Sequence, residues 1–297
     1  MGATEVVPGV SGGTGALLTG LFGDLIKSLR SIDRQSLKLL SKKDFGNFWK
    51  HINGNFLLTI LAGALTGIFG FSRLILTGLK HYPIPTGAFF FSVIFMAAPL
   101  VMRDELKKWD TGDMLCFGIA LLLALTITLI PPAQLPQTLF TVLGVGVLAG
   151  AVAFIPGISS AFVLILFGQY GFIATTFAEF IIIAVLIFTL GYALGLAGFA
   201  RIAYHFLRRH YRRTMAVLAG VMLGFLNKVW PWREVLEFAT NRKGEQVPAF
   251  DKSILPWNYY TTTGKDPQVL QAILMMALGV FIVVLIERIA SRRKTTF

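Results

Sequence analysis

Two short segments of the sequence combine a Pro-Gly pair with hydroxyl-bearing residues in otherwise apolar surroundings. The first is EVVPGVSGGT at residues 5–14, and the second is AFIPGISSAF at residues 153–162. A Pro-Gly pair interrupts a helix, and serine is favoured where the next helix begins. Because the start of a helix presents unpaired N–H groups and a partial positive charge, it attracts anions. The two segments therefore predict a polar, anion-binding site built from broken helices.

In a second interpretation, each Pro-Gly pair is only a packed kink whose serines cap the following helix. The presence of two copies favours the anion site, because two helix starts can then converge on one anion. The predicted helix breaks are Pro8, Gly9, Pro156 and Gly157. The predicted anion-binding residues of the two segments are Ser11, Gly12, Gly13, Thr14, Ser159 and Ser160.

The two segments belong to an internal duplication. A further pattern, GxxxGxxGFxR, runs from Gly63 to Arg73 and again from Gly191 to Arg201, and a longer loop precedes its first copy. A pattern of this length that ends in a charge is not expected to recur by chance. Repeats that contain broken helices are a recurring plan among transporters.

The repeated arginines are further candidates for contact with the anion. Arg73 lies inside an apolar segment, where an unpaired charge is costly, so we expect it to meet a ligand, a partner or water. Arg73 could instead snorkel to the outer headgroups, and Arg201 could anchor the cytoplasmic end of its helix. Glu5 and Glu179 are acidic residues within apolar segments, and either could carry a coupling proton or pair with an arginine. A position at the membrane interface is the alternative for Glu179.

The composition is that of a membrane protein with several spans. Hydrophobic residues make up 55% of the chain and charged residues 14%, and the mean hydropathy is +0.70, which excludes an ordinary soluble domain. Two apolar stretches contain the Pro-Gly pairs and are predicted to be re-entrant hairpins, at residues 3–26 and 137–170. Segments long enough to cross about 30 Å of hydrocarbon lie near residues 55–79, 84–102, 112–130, 173–199, 213–229 and 268–287.

The net charge of +12 is concentrated on alternate loops, which argues against nucleic acid as a partner. Basic residues cluster in regions 27–51, 103–111 and 201–213 and in the tail. The positive-inside rule therefore predicts that these regions and the C-terminus are cytoplasmic and that loop 230–267 is external. Three spans separate the two hairpins, and an odd number of crossings inverts the second copy. The predicted fold is an all-α polytopic membrane protein with two inverted repeats, each a re-entrant Pro-Gly hairpin plus three transmembrane helices. The repeats comprise residues 1–131 and 137–290.

Other kinds of site are not expected. Cys116 is the single cysteine, and the histidines have no metal-ligand spacing, so we predict no disulfide, metal or other cofactor. The glycines at 144–150 lie in a hydrophobic segment, where small residues predict close helix packing. The chain begins just before its first Pro-Gly pair, so the first hairpin either lacks an arm or starts upstream of Met1.

Three stretches of the sequence resemble signatures of the polyprenyl-phosphate transporter family (PopT) of bacterial membrane proteins. They are GATEVVPGVSGGTGALLTG, FIPGISSAFVLILFGQYG and LNKVWPWRE at 226–234, and the resemblance covers essentially the whole chain. It implies a flippase in the bacterial cytoplasmic (inner) membrane that returns undecaprenyl phosphate to the inner leaflet for cell-envelope synthesis. It also maps the family's motif onto Glu5, the two Pro-Gly pairs and the hydroxyl and glycine residues that follow them. Ser160 stands where the family pattern has glycine.

A more distant resemblance is to undecaprenyl pyrophosphate phosphatases, which implies a related fold. The catalytic groups of those enzymes include a second glutamate upstream, a histidine after the first motif and an arginine after the second serine. Thr14 and Ser160 stand at the last two positions here, so we predict that the chain is not an enzyme. The alternatives to the lipid transporter are an enzyme like these phosphatases and a secondary transporter of a small anion. The expected partners are a polyprenyl-phosphate lipid and the bilayer, and a homo-oligomer is compatible with the sequence. The coupling ion and the preferred lipid chain length do not follow from it.

Overall fold

The computed structural model of the protein describes residues 11–106, 109–240 and 246–294. Its helices, in chain order, are α1 Gly12–Leu18, α2 Phe22–Arg30, α3 Arg34–Ser41, α4 Phe45–His51, α5 Gly54–His81, α6 Pro83–Leu106, α7 Thr111–Leu129, α8 Leu139–Val152, α9 Ser160–Leu166, α10 Tyr170–Ala178, α11 Ile182–Arg209, α12 Tyr211–Phe225, α13 Pro256–Thr263 and α14 Val269–Lys294. A 3-10 turn, Leu226–Val229, follows α12. Strands β1 Arg233–Thr240 and β2 Gln246–Ser253 then form an antiparallel ribbon inside the loop 230–267, where the sequence predicts no strand.

The prediction of a helical protein with several membrane spans is confirmed. In the part of the chain that the structure describes, four helices are long and apolar enough to cross a membrane: α5, α7, α11 and residues 269–288 of α14. Helices α9 and α10 are bent by 117° relative to each other and make a fifth span if they are counted together. The sequence predicts six spans, and the difference arises at α6 and α12. The apolar part of α6 ends at Pro99, and α12 has only 15 residues.

The segment before α11 also differs from the prediction. The predicted span 173–199 begins within α10, whereas the structure ends α10 at Ala178 and starts the long helix at Ile182. Phe180, between them, has a left-handed backbone with φ of 51°. Hydropathy does not reveal this break because the segments on both sides of it are largely apolar, with Glu179 as the one charged residue between Tyr170 and Gly198.

The internal duplication recurs in the local structure. Helices α1 and α9 each have seven residues, α2 and α10 each have nine, and α5 and α11 each have 28. Both short helices end in the same turn, with a left-handed glycine at Gly20 and Gly168. The next N–H in each turn donates to the carbonyl five residues back, from Leu21 to Ala16 and from Gln169 to Leu164, at 2.8 Å in both cases. The sequence predicts a longer loop in the first copy, and the structure places the two short helices α3 and α4 within it.

Glycines allow the second copy of the GxxxGxxGFxR pattern to pack closely on α8. A methyl group added at Gly195 would lie 1.9 Å from the carbonyl oxygen of Val147, and one added at Gly150 would lie 2.0 Å from that of Tyr192. The close packing predicted for residues 144–150 is therefore present. In the first copy, a methyl group at Gly63 meets nothing within 4 Å among the described residues. The same sequence pattern thus has two different environments.

The basic regions lie at one end of the helix bundle, and the ribbon lies at the other. Helices α7 and α12 run in the same direction, because Arg212 Nη2 lies 3.1 Å from Asp110 Oδ2 at their starts and Asn227 Nδ2 donates to Thr128 Oγ1 at 2.7 Å at their ends. The guanidinium of Arg30 lies 4.2 Å from the ring centre of Tyr204. This contact places region 27–51 at the same end of the bundle as the starts of α7 and α12. The three basic regions thus share one end, as the charge pattern predicts.

The ribbon is joined to the opposite end by a polar network. Arg233 Nη2 donates to Asp251 Oδ1 at 2.6 Å across the two strands. Ser253 Oγ donates to Asn227 Oδ1 at 2.8 Å, and Trp232 is buried with its indole N–H donating to the Pro267 carbonyl at 2.8 Å. The Ser253–Asn227 bond fixes the ribbon to the end of α12, and Asn227 in turn bonds to Thr128 at the end of α7. The Trp232 bond joins the start of the ribbon to the segment before α14.

Candidate functional site

The structure brings the two Pro-Gly segments into direct contact. Ser11 Oγ donates a hydrogen bond to the carbonyl of Ile155 at 2.8 Å, and the N–H of Gly157 donates to Thr14 Oγ1 at 3.1 Å. The partners in these two bonds are 144 and 143 residues apart in the sequence. A hydroxyl of the first segment is therefore paired with the backbone of the second segment in each bond.

Glycine makes this close contact feasible. A methyl group added at Gly13 would lie 2.2 Å from the carbonyl oxygen of Phe154, so only glycine lets α1 approach the second segment so closely. Gly157 has φ of +86°, and a methyl group there would lie 2.8 Å from Met222 Cα on α12. The sequence predicts that Gly12 and Gly13 belong to the anion-binding site. In the structure it is the backbone of the other segment that approaches Gly13.

The contact is closed to solvent. Ser11 is 1% exposed and Thr14 is fully buried, and Pro156 and Gly157 are buried beside them. Both hydroxyl groups already have protein partners. An anion can therefore reach these groups only if the two segments move apart.

The serines of the second segment have different partners. Ser159 is the N-cap of α9, where its Oγ accepts from the N–H of Ala161 at 3.2 Å. Ser160 Oγ donates to the carbonyl of Ala149 at 2.9 Å and so joins α9 to α8 across the break. Ser11 is the N-cap of α1 but makes no side-chain capping bond within the described chain. The capping interpretation therefore accounts for Ser159, whereas Ser11 connects the two copies.

The two predicted arginines lie in separate places. Arg73 is exposed on α5. Arg201 Nη2 donates to the carbonyl of Ile32 at 3.2 Å, and this arginine lines a cavity between α2 and the end of α11. Among the residues that the structure describes, no member of either Pro-Gly segment lines that cavity. The predicted anion-binding set is therefore divided between the contact of the two segments, the cavity and the surface of α5.

Three predicted residues, Glu5, Pro8 and Gly9, lie outside the described residues. Glu179 is the C-cap of α10 and is exposed. Across the described ranges, no group of three or more His, Cys, Asp or Glu side chains is placed to hold a metal ion.

Comparison with known proteins identifies the family. Residues 1–247 match the family described as undecaprenyl phosphate translocase-like. The chain belongs to this family. It is also 36% identical over 292 residues to a polyprenyl-phosphate transporter of Vibrio cholerae, covering 98% of this chain and 94% of the relative. A polyprenyl-phosphate transporter of Staphylococcus aureus is 29% identical over 248 residues, which cover 78% of this chain and 83% of the relative. No solved structure matches the chain.

These matches confirm the resemblance drawn from the motifs, and they group the chain with a translocase-like family and with transporters rather than with phosphatases.

The stretch LNKVWPWRE, which carries part of that resemblance, contributes two residues that the sequence analysis assigned no role. Lys228 Nζ lies 5.5 Å from the ring centre of Phe162 and so brings a basic group beside α9. Arg233 pairs with Asp251 across the two strands of the ribbon, and its Nη1 also donates to the carbonyl of Asn227, just beyond α12. The motif signals both residues, but only the fold reveals what they contact.

Proposed function

We propose that this protein transports polyprenyl phosphate across the bacterial cytoplasmic membrane and returns the carrier lipid to the inner leaflet for cell-envelope synthesis. Membership of the translocase-like family supports this function, as does the similarity to two proteins named polyprenyl-phosphate transporter. The protein acts without a cofactor and catalyses no bond cleavage. Transport is needed because a charged headgroup cannot cross hydrocarbon unaided. The isoprenoid tail remains in the lipid.

Two inverted repeats are the architecture that we propose for this transport. The equal lengths and matching turns of α1–α2 and α9–α10 support the repeat. The positions of the hairpins support the inversion. Helix α2 ends among the basic regions, where Arg30 contacts Tyr204. At the end that carries the ribbon, the N–H of Ala133 donates to the carbonyl of Leu166 at 2.7 Å, so α9 returns to the point from which its hairpin entered. The two Pro-Gly breaks would then approach each other from opposite faces.

The contact between the two segments is the proposed place for the phosphate during transfer. When the segments separate, the hydroxyls of Ser11 and Thr14 and the N–H of Gly157 lose their partners and can bond phosphate oxygens instead. Each of the two bonds that must be broken contributes about 0.5–1.5 kcal/mol, whereas a hydrogen bond to a charged group contributes about 1.5–3 kcal/mol. Hydrogen bonds to a charged phosphate can therefore offset the loss of the two existing bonds. Lys228, beside α9, adds positive charge near the second segment.

Liposome reconstitution tests the function directly. We expect the purified protein to accelerate transbilayer movement of a fluorescent polyprenyl phosphate, measured as the fraction that becomes accessible to an impermeant quencher. Protein-free liposomes are the control, and equal rates in both would contradict transport. The same preparation should release no phosphate from polyprenyl pyrophosphate, and release would favour the phosphatase alternative. Inhibition by a soluble anion, with uptake of that anion, would favour the small-anion alternative.

Cysteine labelling tests the proposed orientation. The test uses a Cys116→Ala background. Lys38→Cys on α3 places an exposed thiol at the basic end of the bundle, and Lys265→Cys beyond α13 places one at the end that carries the ribbon. We expect an impermeant maleimide to label intact spheroplasts at position 265 and to label position 38 only after permeabilisation. The reverse pattern, or equal labelling of both positions, would contradict the orientation.

A further inference from the structure

The end of α11 presents a row of basic and aromatic residues to a cavity of about 640 Å³. The row consists of Arg201, Tyr204, His205, Arg208 and Arg209. Their spacing of i, i+3, i+4, i+7 and i+8 places them on one face of the helix. Arg30, at the end of α2, lines the cavity from the other side. Four arginines from two helices therefore meet around one space.

The positive charge of this cavity is not neutralised by its own acidic residue. Asp33 is the single carboxylate in the described lining, so with histidine neutral the four arginines leave a net charge of 4 − 1 = +3. That carboxylate has partners of its own, because it caps α3 through the N–H groups of Gln35 and Ser36 and lies 3.2 Å from His51 Nε2. The Ser36 N–H, aided by His51, holds the pKa of Asp33 below its ordinary value. An anion would relieve the repulsion among the arginines.

Two of the arginines are held in place by the protein. Arg30 stacks on Tyr204, with the guanidinium carbon 4.2 Å from the ring centre. Arg201 donates one hydrogen bond to the carbonyl of Ile32. A guanidinium has five N–H donors in a fixed fork, which suits bidentate binding of phosphate. A volume of about 640 Å³ lies within the range of small-ligand sites and exceeds what a single ion requires.

The position of the cavity relates it to the proposed transport path. Helix α2 directly follows α1, which carries the contact residues Gly13 and Thr14. The cavity lies among the basic regions, at the end that the proposed orientation places in the cytoplasm. Its described lining excludes the Pro-Gly segments, so it is separate from their contact.

We propose that this cavity is a second binding site, which receives the phosphate monoester headgroup of the carried lipid at the cytoplasmic face. This inference rests on the proposed function. The headgroup would pass from the closed contact between the segments to the arginines, and the lipid would leave from there. A phosphodiester phospholipid or free phosphate offers related chemistry, so the test must separate the three ligands.

The test compares two charge-matched double variants of the full chain in neutral phosphatidylcholine nanodiscs. Arg208→Gln/Arg209→Gln removes two charges from the cavity, and Arg34→Gln/Lys38→Gln removes two from the exposed surface of nearby α3, outside the lining. We expect the cavity variant to bind a short-chain polyprenyl phosphate at least tenfold more weakly at one of two sites, measured by native mass spectrometry. The α3 variant should bind like the wild type. A Thr14→Val variant should weaken the other site.

Several results would overturn the inference. Equal binding by the wild type and the cavity variant would do so, as would an equal loss in both double variants, which would indicate a general charge effect. Phosphatidylglycerol and inorganic phosphate would also be tested as competitors for the bound polyprenyl phosphate. If either displaced it as effectively as unlabelled polyprenyl phosphate does, the cavity would not select the carried lipid. Failure of the proposed function is distinguishable, because it would appear as absent transport by the wild type in liposomes.

Discussion

Replacing Gly13 with alanine is expected to reduce lipid transport at least tenfold and to destabilise the protein. The added methyl group would lie 2.2 Å from the carbonyl oxygen of Phe154, and neither backbone can yield without separating the two Pro-Gly segments. Overpacking of this kind costs about 1–3 kcal/mol. It would also break the bonds from Ser11 to Ile155 and from Gly157 to Thr14. Transport would be measured in liposomes and stability by thermal unfolding in detergent.

Gly23→Ala on α2 is the matched control. A methyl group at Gly23 meets nothing within 4 Å among the described residues. Alanine is favoured over glycine within a helix by about 0.5–1 kcal/mol, so this variant should unfold at a slightly higher temperature and transport normally. If Gly13→Ala were as active as Gly23→Ala, the close contact of the two segments would not be required for transport.

Thr14→Val is expected to reduce transport about tenfold because it removes a hydroxyl from the contact while preserving the shape of the side chain. The N–H of Gly157 would be left without its partner in a buried place, which costs about 1–3 kcal/mol. The proposed phosphate site would lose one donor as well. The variant should therefore show both a lower unfolding temperature and a lower transport rate per folded molecule.

Two further substitutions separate these effects. Thr14→Ser keeps the hydroxyl and should retain most of the transport rate. Thr126→Val removes an exposed hydroxyl whose hydrogen bond, among the described residues, is to the carbonyl of Leu122 within α7, and it should leave transport unchanged. If Thr14→Val transported lipid normally at normal abundance of the protein in the membrane, the first Pro-Gly segment would be only a packed kink, which is the alternative that the sequence leaves open.

Much of the architecture follows from the sequence because it depends on local chemistry. Apolar runs identify the class and most of the spans, and Pro-Gly pairs identify where helices break. The duplication is visible as repeated glycines and arginines, and it recurs in the structure as helices of equal length and identical turns. The break at Phe180 is not predicted from the sequence, because a left-handed backbone at a phenylalanine has no signal in the composition around it.

Partners of individual side chains depend on packing between distant segments. The two copies of GxxxGxxGFxR have the same glycines, but Gly195 packs against Val147 while Gly63 faces open space among the described residues. Ser11 and Ser159 are equivalent in the repeat, yet one bonds to the other segment and the other caps its own helix. Repetition in sequence therefore does not carry over to repetition of contacts.

The sequence by itself determined the protein class, the helix break at Pro156-Gly157 and the family, and it predicts the duplication. It could do so because each depends on residue types at short, fixed spacings along one chain segment. The tertiary structure alone decided that Ser11 and Thr14 bond to the second segment and that Arg201 joins Arg30 around a cavity. The physical reason is that side chains more than a hundred residues apart in the sequence meet only where packed helices bring their backbones together. No local sequence pattern specifies which distant segments will pack against each other.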